Sequence, residues 1–320
     1  STVYIDGVKM SDPSSSDNSF YFSNIMNSSI KKVEVLRGSQ SSMYGSGAIG
    51  GAINIYTKDG EDKNLNKFII SGGSNNAKNL DVSYGEAYNN HSYYLGLNLF
   101  NTDGISAMND EVSTNDDDSY ENKSIISKYK YSFNDNFSFK GNLRYSDSFL
   151  NYDEVTQGRT DDNNSTDDNE LSYSLKLISD FGKHKNTFLY NYTNIERATK
   201  TYTNASKNYY GYRDSINFIG EYNFNLDNKL LYGLDHEFDK AKFQKDWPTD
   251  YLKSDEAIYS QYFDFQFRPS EKVYSTIGLR RDDHTTAGSF NTGRATLAYV
   301  LDNNSKIRSS FGTGLRFPSL

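Results

Sequence analysis

The 320-residue sequence contains no cysteine, four prolines and four histidines. Without cysteine there are no disulfide cross-links, no thiol nucleophile and no zinc site with thiolate ligands. The histidines are scattered, and none has the i, i+4 spacing of a helical zinc site; they are His91, His184, His236 and His284. Long apolar runs are also missing, and none approaches the roughly 18 residues that a transmembrane helix needs. These absences exclude thiol chemistry and argue against an imidazole-based metal site.

Motifs for nucleotide, phosphate or acyl chemistry are scarce as well. The stretch 45–50 satisfies G-x-G-x-x-G, but an apolar strand follows it where a dinucleotide site needs a helix. Two carboxylate pairs, Asp161-Asp162 and Asp167-Asp168, are predicted to lie in a turn-rich loop, where no burial would raise a pKa for glycosidase chemistry. A net charge of −8 argues against nucleic acid, since phosphate contacts need a basic face. We therefore expect neither an enzyme nor a nucleic-acid-binding protein.

Aromatic residues are abundant although the chain as a whole is polar. Tyrosine and phenylalanine number 27 and 20, while the mean hydropathy is −0.78. From residue 67 onward, segments of about ten residues alternate apolar and polar side chains. In one of them Phe137, Phe139, Gly141, Leu143 and Tyr145 share a face, and Ser138, Lys140, Asn142 and Arg144 share the other. This period of two places one face in an apolar medium and the other in a polar one.

The polar faces of these segments carry ionised groups such as Lys140, Arg144 and Glu221, which a packed soluble core does not accept unpaired. Short turns alternate with long links, as the periplasmic turns and extracellular loops of outer-membrane barrels do. The long links are predicted at 103–120, 152–169, 200–208 and 243–255. We predict an all-β fold, a transmembrane antiparallel β-barrel with about 13 strands in this sequence against about 22 in a plugged transporter. A soluble β-sandwich or propeller is the alternative.

A glycine-rich connection between two apolar runs distinguishes the N-terminal region. The sequence reads Val-Glu-Val-Leu-Arg-Gly at 33–38, Ser-Ser-Met-Tyr-Gly at 41–45 and Ala-Ile-Gly-Gly-Ala-Ile-Asn-Ile at 48–55. So many glycines predict sharp turns and close packing, because glycine alone takes positive φ without steric cost. The combined string resembles the end of the plug domain of TonB-dependent outer-membrane receptors. It departs from that pattern at Ser39, where the family usually has proline.

This resemblance implies a domain organisation and a function. Residues 1–58 would be the C-terminal part of a plug, 59–66 a linker, and 67–320 a barrel that is incomplete at its C-terminal side, so that the sequence is an internal fragment. The protein would lie in the outer membrane of a Gram-negative bacterium, in contact with lipid. It would take up a scarce large ligand with energy supplied by TonB and its inner-membrane complex. A passive porin or structural barrel is the alternative from another class, and it predicts no plug.

Carboxylates are concentrated in two of the long links. Clustered hard oxygen ligands suit Ca²⁺, although a solvated Asp- and Asn-rich surface loop has the same composition. Residues 116–153 also resemble, without a gap, the second and third extracellular loops of the cobalamin transporters of this family. That resemblance implies calcium ligands at Asp116, Asp118 and Asp153, with Asp103 and Asp161 as further candidates. It favours cobalamin (vitamin B12) as the ligand, with a ferric siderophore or haem as the alternative.

A polar segment in the plug is the second candidate site. Residues 10–17 follow Asp6-Gly7-Val8, where similar receptors raise a substrate-contacting loop into the mouth of the barrel. Small hydroxyl side chains can both donate to and accept from a polar ligand, whereas a flexible serine-rich loop is the alternative interpretation. The candidate substrate contacts are Met10, Ser11, Asp12, Ser14, Ser15 and, at the Asn-Tyr-Asp motif of the third loop, Tyr152.

Overall fold

The computed structural model describes residues 2–17, 19–25, 27–106, 117–153, 164–201, 206–246, 250–301 and 305–320. Strands dominate these residues, with two short 3-10 turns at Phe22–Asn24 and Asn27–Ser29 and one helical turn, α1, at Ser41–Tyr44. The strands are β1 (Thr2–Ile5), β2 (Val8–Lys9), β3 (Ile30–Arg37), β4 (Gly51–Thr57), β5 (Lys67–Gly72), β6 (Lys78–Tyr88), β7 (His91–Thr102), β8 (Tyr120–Ser132), β9 (Phe137–Tyr152), β10 (Asn164–Asp180), β11 (His184–Lys200), β12 (Ser206–Asn223), β13 (Lys229–Asp246), β14 (Asp250–Ser270), β15 (Val273–His284), β16 (Gly288–Val300) and β17 (Lys306–Gly312). No helix in these ranges is long and apolar enough to cross a membrane.

The first four strands form a small sheet, the plug sheet, in the order β2-β1-β4-β3. Strand β1 runs parallel to β4, and the other two pairings are antiparallel. Its core consists of apolar side chains from both ends of the segment, namely Val3, Ile5, Val8, Met10 and Ile55. The glycine-rich connection closes tightly, because a Cβ on Gly51 (φ +139°) would lie 2.1 Å from the carbonyl oxygen of Leu36. The close packing predicted from the glycines is therefore confirmed at this position.

The other thirteen strands of the described residues, β5 to β17, form one large sheet, the barrel sheet. Each strand pairs with the next one along the chain, and every pairing is antiparallel, which confirms the predicted strand number and topology. The two faces differ as the alternation predicted. On β9, Arg144 and Ser146 are buried on the inner face, while Leu143 and Tyr145 on the outer face are 40% and 37% exposed. The apolar face therefore points outward.

Two of the predicted long links are wrong in extent. The link predicted at 152–169 ends early, because β10 begins at Asn164 and contains Asp167 and Asp168. Most of the link predicted at 243–255 also belongs to strands, since β13 runs to Asp246 and β14 begins at Asp250. These strands have 17 to 21 residues, whereas about 9–11 residues suffice to cross a bilayer. Beyond the lipid, ladder hydrogen bonds maintain the strand although the outward residues are no longer apolar.

The plug sheet and its connections, which we call the plug (residues 2–58), lie against the inner face of the barrel sheet. The contacts involve strands far apart in the barrel sheet. Lys128 on β8 donates to the Asp6 carboxylate at 2.7 Å, and Arg294 on β16 donates to Gln40 at 2.9 Å. The barrel sheet therefore curves around the plug.

Candidate functional site

The segment Met10–Asp17, which we call the plug loop, leaves β2 and is buried for most of its length. The side chains of Met10, Ser11, Asp12 and Ser14 have relative exposures between 0% and 6%, and Ser15 has 7%. Asp12 organises the turn, because its Oδ1 accepts hydrogen bonds from the backbone N–H and the hydroxyl of Ser14, both at 2.7 Å. When an aspartate side chain accepts a hydrogen bond from the backbone N–H two residues later, it takes the place of the backbone carbonyl that closes an ordinary turn. The loop is thus an ordered part of the plug.

Asp12 also joins the plug loop to the barrel wall. Its Oδ2 accepts a hydrogen bond of 2.8 Å from Nη1 of Arg197 on β11, and both side chains are more than 90% buried. The guanidinium lies 5.4 Å from the ring centroid of Tyr21 and 4.9 Å from that of Tyr209. A buried guanidinium held by a carboxylate and two aromatic rings has little freedom to reorient.

A second anchor lies on the neighbouring strands β12 and β13. Arg213 donates to the backbone oxygen of Ser11 at 2.8 Å and to its hydroxyl at 3.0 Å. The same guanidinium makes a bidentate contact with Asp239, at 2.7 and 2.5 Å. Next to it, Lys9 donates to Glu237 at 2.6 Å. The Arg213–Asp239 pair lies within the wall and fixes the guanidinium, and the hydrogen bonds from Arg213 to Ser11 then hold the start of the plug loop. Removing one member of the buried Lys9–Glu237 pair would leave the other charge uncompensated, so this pair also holds the plug against the wall.

The end of the plug loop is more exposed and polar. The hydroxyl of Ser15 donates to Oδ1 of Asp17 at 2.5 Å, and the backbone N–H of Ser19 donates to the same oxygen at 3.2 Å. The hydrogen bond from Ser15 is the main cause that lowers the pKa of Asp17 below its ordinary value. Asp17 is therefore ionised over a wider pH range than a free aspartate.

The barrel residues that anchor the plug loop, Arg197, Arg213, Glu237 and Asp239, were not predicted from the sequence. On β13 the local signal is a run of charged residues at every second position, Asp235, Glu237 and Asp239, on the face that alternation assigns to the lumen. Arg197 on β11 and Arg213 on β12 belong to no such run. The structure brings the predicted plug-loop residues together with these charges. Contact between the plug loop and a ligand stays a prediction.

The predicted calcium ligands that the structure describes lie at one rim of the barrel sheet. Asp103 follows β7, Asp118 precedes β8 and Asp153 follows β9, and these three strands are consecutive neighbours. The segments of Asp103 and Asp118 run close together, because a Cβ on Gly104 (φ +77°) would lie 1.9 Å from the Asp118 carbonyl oxygen. Tyr152, at the end of β9, is half-buried and is paired in register with Asn164.

Asp116 and Asp161 lie outside the described residues. Among the residues that the structure does describe, no group of three or more His, Cys, Asp or Glu side chains is arranged to hold a metal ion. The donor chemistry of Asp118 and Asp153 suits a hard cation such as Ca²⁺, and their placement on adjacent strand ends is compatible with ligands from neighbouring loops. Calcium at this rim stays a prediction.

Comparison with known proteins identifies the family. The profile of the "TonB-dependent Receptor Plug Domain" matches residues 1–52, and that of the "TonB dependent receptor-like, beta-barrel" matches residues 56–320. The vitamin B12 transporter BtuB of Vibrio vulnificus is 23% identical over 98% of this chain, and that of Photobacterium profundum is 26% identical over 99%. The chain spans about half the length (51%) of these curated relatives.

Solved structures show the same fold. The siderophore receptor PirA of Acinetobacter baumannii has a TM-score of 0.76 and 19% identity, covering 100% of this chain and 54% of that one. The ferric enterobactin receptor PfeA of Pseudomonas aeruginosa, solved as a mutant with enterobactin, has a TM-score of 0.79 and 14% identity, covering 100% of this chain and 55% of that one. With both profiles matched and a plug that lies against the inner face of an antiparallel barrel sheet, the chain belongs to the TonB-dependent receptors, a family of outer-membrane proteins.

Proposed function

We propose that this chain forms the plug and part of the barrel of a receptor that takes up a scarce, large ligand across the outer membrane with energy supplied through TonB. The observation that carries the proposal is the pair of buried anchors, Asp12 with Arg197 and Ser11 with Arg213, which hold the plug loop against the wall. Breaking a buried charged pair such as Asp12 with Arg197 costs about 3–5 kcal/mol. Passage of a large solute therefore requires work on the plug, which favours a driven transporter over a passive porin.

Cobalamin is the ligand that we favour. The curated relatives named as vitamin B12 transporters match nearly the whole chain, at 23% and 26% identity. The rim that bears Asp103, Asp118 and Asp153 is acidic, and an acidic rim repels anionic iron chelates more than it repels a neutral ligand. A ferric siderophore is the second candidate, because the structural neighbours PirA and PfeA are siderophore receptors.

Calcium is part of the same proposal. The rim carboxylates Asp118 and Asp153, with Asp116, Asp103 and Asp161 as further ligands, would bind Ca²⁺ and bring neighbouring loops together. The ion would offset the mutual repulsion of the carboxylates, and ordered loops would present their polar and aromatic side chains to the ligand. Tyr152, next to Asp153 in the chain, is the aromatic residue that we expect to contact the ligand.

Binding of cyanocobalamin to the whole receptor tests this proposal. We expect tight binding in calcium that weakens at least about tenfold in chelator, and a similar loss in the double variant Asp116→Ala, Asp118→Ala even when calcium is present. Asp135→Ala is the matched control, because Asp135 lies in the turn between β8 and β9 at the opposite end of the strands. Binding of ferric enterobactin but not of cyanocobalamin would replace cobalamin by a siderophore as the ligand.

A further inference from the structure

A cavity of about 840 Å³ lies between the plug and the inner face of the barrel sheet. It is far from the acidic rim and reaches strand ends that are joined by short turns, including the end of β8, the start of β9 and the start of β11. The side chains around it are strongly charged, and lysines are prominent among them. The barrel lysines that line it are Lys128, Lys130, Lys140, Lys176 and Lys185.

Three of these lysines form a row across adjacent strands, which we call the lysine row. Lys130 on β8 lies directly opposite Lys140 on β9, and Lys140 lies directly opposite Lys176 on β10. All three line the cavity. Like charges directly opposite each other in a sheet are destabilising. A row of three adjacent ammonium groups on one face therefore indicates that a negative charge belongs between them.

The residues that face the lysine row from across the cavity supply only part of that negative charge. Lys130 pairs with Glu61 at 2.5 Å, and Lys176 donates to the backbone oxygen of Asp6 at 3.1 Å. Among the residues that the structure describes, the side-chain ammonium group of Lys140, at the centre of the lysine row, makes neither a hydrogen bond nor an ion pair. The central ammonium group is thus half-buried beside the cavity, between two other positive charges and without an acceptor.

We propose that the lysine row binds a multivalent oxyanion of the phosphate class inside this cavity. Three ammonium groups offer several donors to tetrahedral oxygens, and a charge-assisted hydrogen bond is about twice as strong as a neutral one. Lys140 contributes the free donor, and Lys130 and Lys176 complete the positive surroundings. The site would also bind phosphate-bearing solutes transiently as they pass the plug, and this role rests on the proposed transport function. Binding of the oxyanion itself does not depend on that function.

Titration of inorganic pyrophosphate into the whole receptor in detergent, at constant ionic strength, tests the site. We expect wild type to bind, and Lys140→Gln to bind at least about tenfold more weakly. Lys140→Arg keeps the charge and restores binding. Lys123→Gln is the matched control and is expected to bind pyrophosphate as wild type does. Lys123 lies on the same strand as Lys130, but it is exposed and belongs to the outer face of the sheet.

Thermal unfolding of the same proteins gives a second measurement. Without pyrophosphate, Lys140→Gln is more stable than wild type, because it removes repulsion from the lysine row. Pyrophosphate raises the melting temperature of wild type and of Lys123→Gln but not that of Lys140→Gln, as linkage requires. The proposed site would be overturned if wild type bound no pyrophosphate, or if wild type and Lys140→Gln bound it with equal affinity. Either result would leave cobalamin binding, and hence the proposed function, unaffected.

Discussion

Asp12 in the plug and Arg197 in the barrel, 185 positions apart in the chain, are joined by a hydrogen bond of 2.8 Å and are both almost completely buried. Asp12→Asn leaves the Arg197 guanidinium buried without its counter-charge, which costs about 3 kcal/mol. Amide hydrogen exchange of the Ser14 N–H, which donates to Asp12, therefore accelerates by roughly a hundredfold in this variant.

Asp17→Asn serves as the control for that experiment. Asp17 lies on the same loop, but it is exposed, so that losing its charge costs much less. If Asp12→Asn and Asp17→Asn change exchange at Ser14 equally, the Asp12–Arg197 pair does not hold the loop.

Gly211 on β12 allows the plug loop to approach the wall. A Cβ at this position would lie 2.4 Å from Oδ1 of Asp12 and 3.0 Å from Cδ of Pro13. Gly211→Ala therefore displaces the loop and costs about 1–3 kcal/mol, the usual cost of overpacking. Limited proteolysis of the folded receptor measures this as faster cleavage within the plug loop.

Gly141→Ala is the matched control for Gly211→Ala. Gly141 is also a barrel-strand glycine, but its nearest neighbour, the ring of Phe139, is 3.6 Å from the Cβ position, an ordinary contact. Equal cleavage rates in the two variants would show that the plug loop is not packed against Gly211.

The hydrogen bond from Ser15 to Asp17 predicts a pH dependence. Because the folded pKa of Asp17 is lowered, its contribution to loop stability is present above the ordinary aspartate pKa and is lost as the pH falls through the folded value. Ser15→Ala raises that folded pKa, so protection of the Ser19 amide disappears at a higher pH than in wild type. Hydrogen exchange followed between about pH 2 and 5 measures the shift, and Ser16→Ala, which keeps the Ser15–Asp17 contact, follows wild type. Superimposable profiles for wild type and Ser15→Ala would contradict the assignment.

The architecture was predictable because its signals are local. Alternation of polar and apolar residues assigns Arg144 to the inner face of β9 and Tyr145 to the outer face, and the structure places both there. Each barrel strand pairs with its neighbour in the chain, so topology follows once the strands are found. The glycine-rich string marked the plug for a similar reason, since Gly51 must allow the Leu36 carbonyl to approach it.

The extent of the strands and the partners of the plug loop were not predictable in the same way. Residues 164–169 have loop composition, yet they continue β10 because ladder hydrogen bonds to β9 and β11 satisfy their backbone. The plug loop has the composition of an exposed segment, and its burial depends on Arg197 and Arg213, which are remote in sequence. Nothing near Asp12 in the chain identifies a partner 185 residues away.

Uptake of radiolabelled cyanocobalamin by cells whose only cobalamin receptor is the whole protein tests the central claim most directly. The account predicts accumulation that requires TonB and that falls when a bifunctional thiol reagent cross-links the plug to the barrel wall through cysteines introduced in place of Asp12 and Arg197. Both residues form the contact between plug and wall that the proposed passage would have to break. Accumulation that is unaffected by loss of TonB, or by the cross-link, would contradict the account.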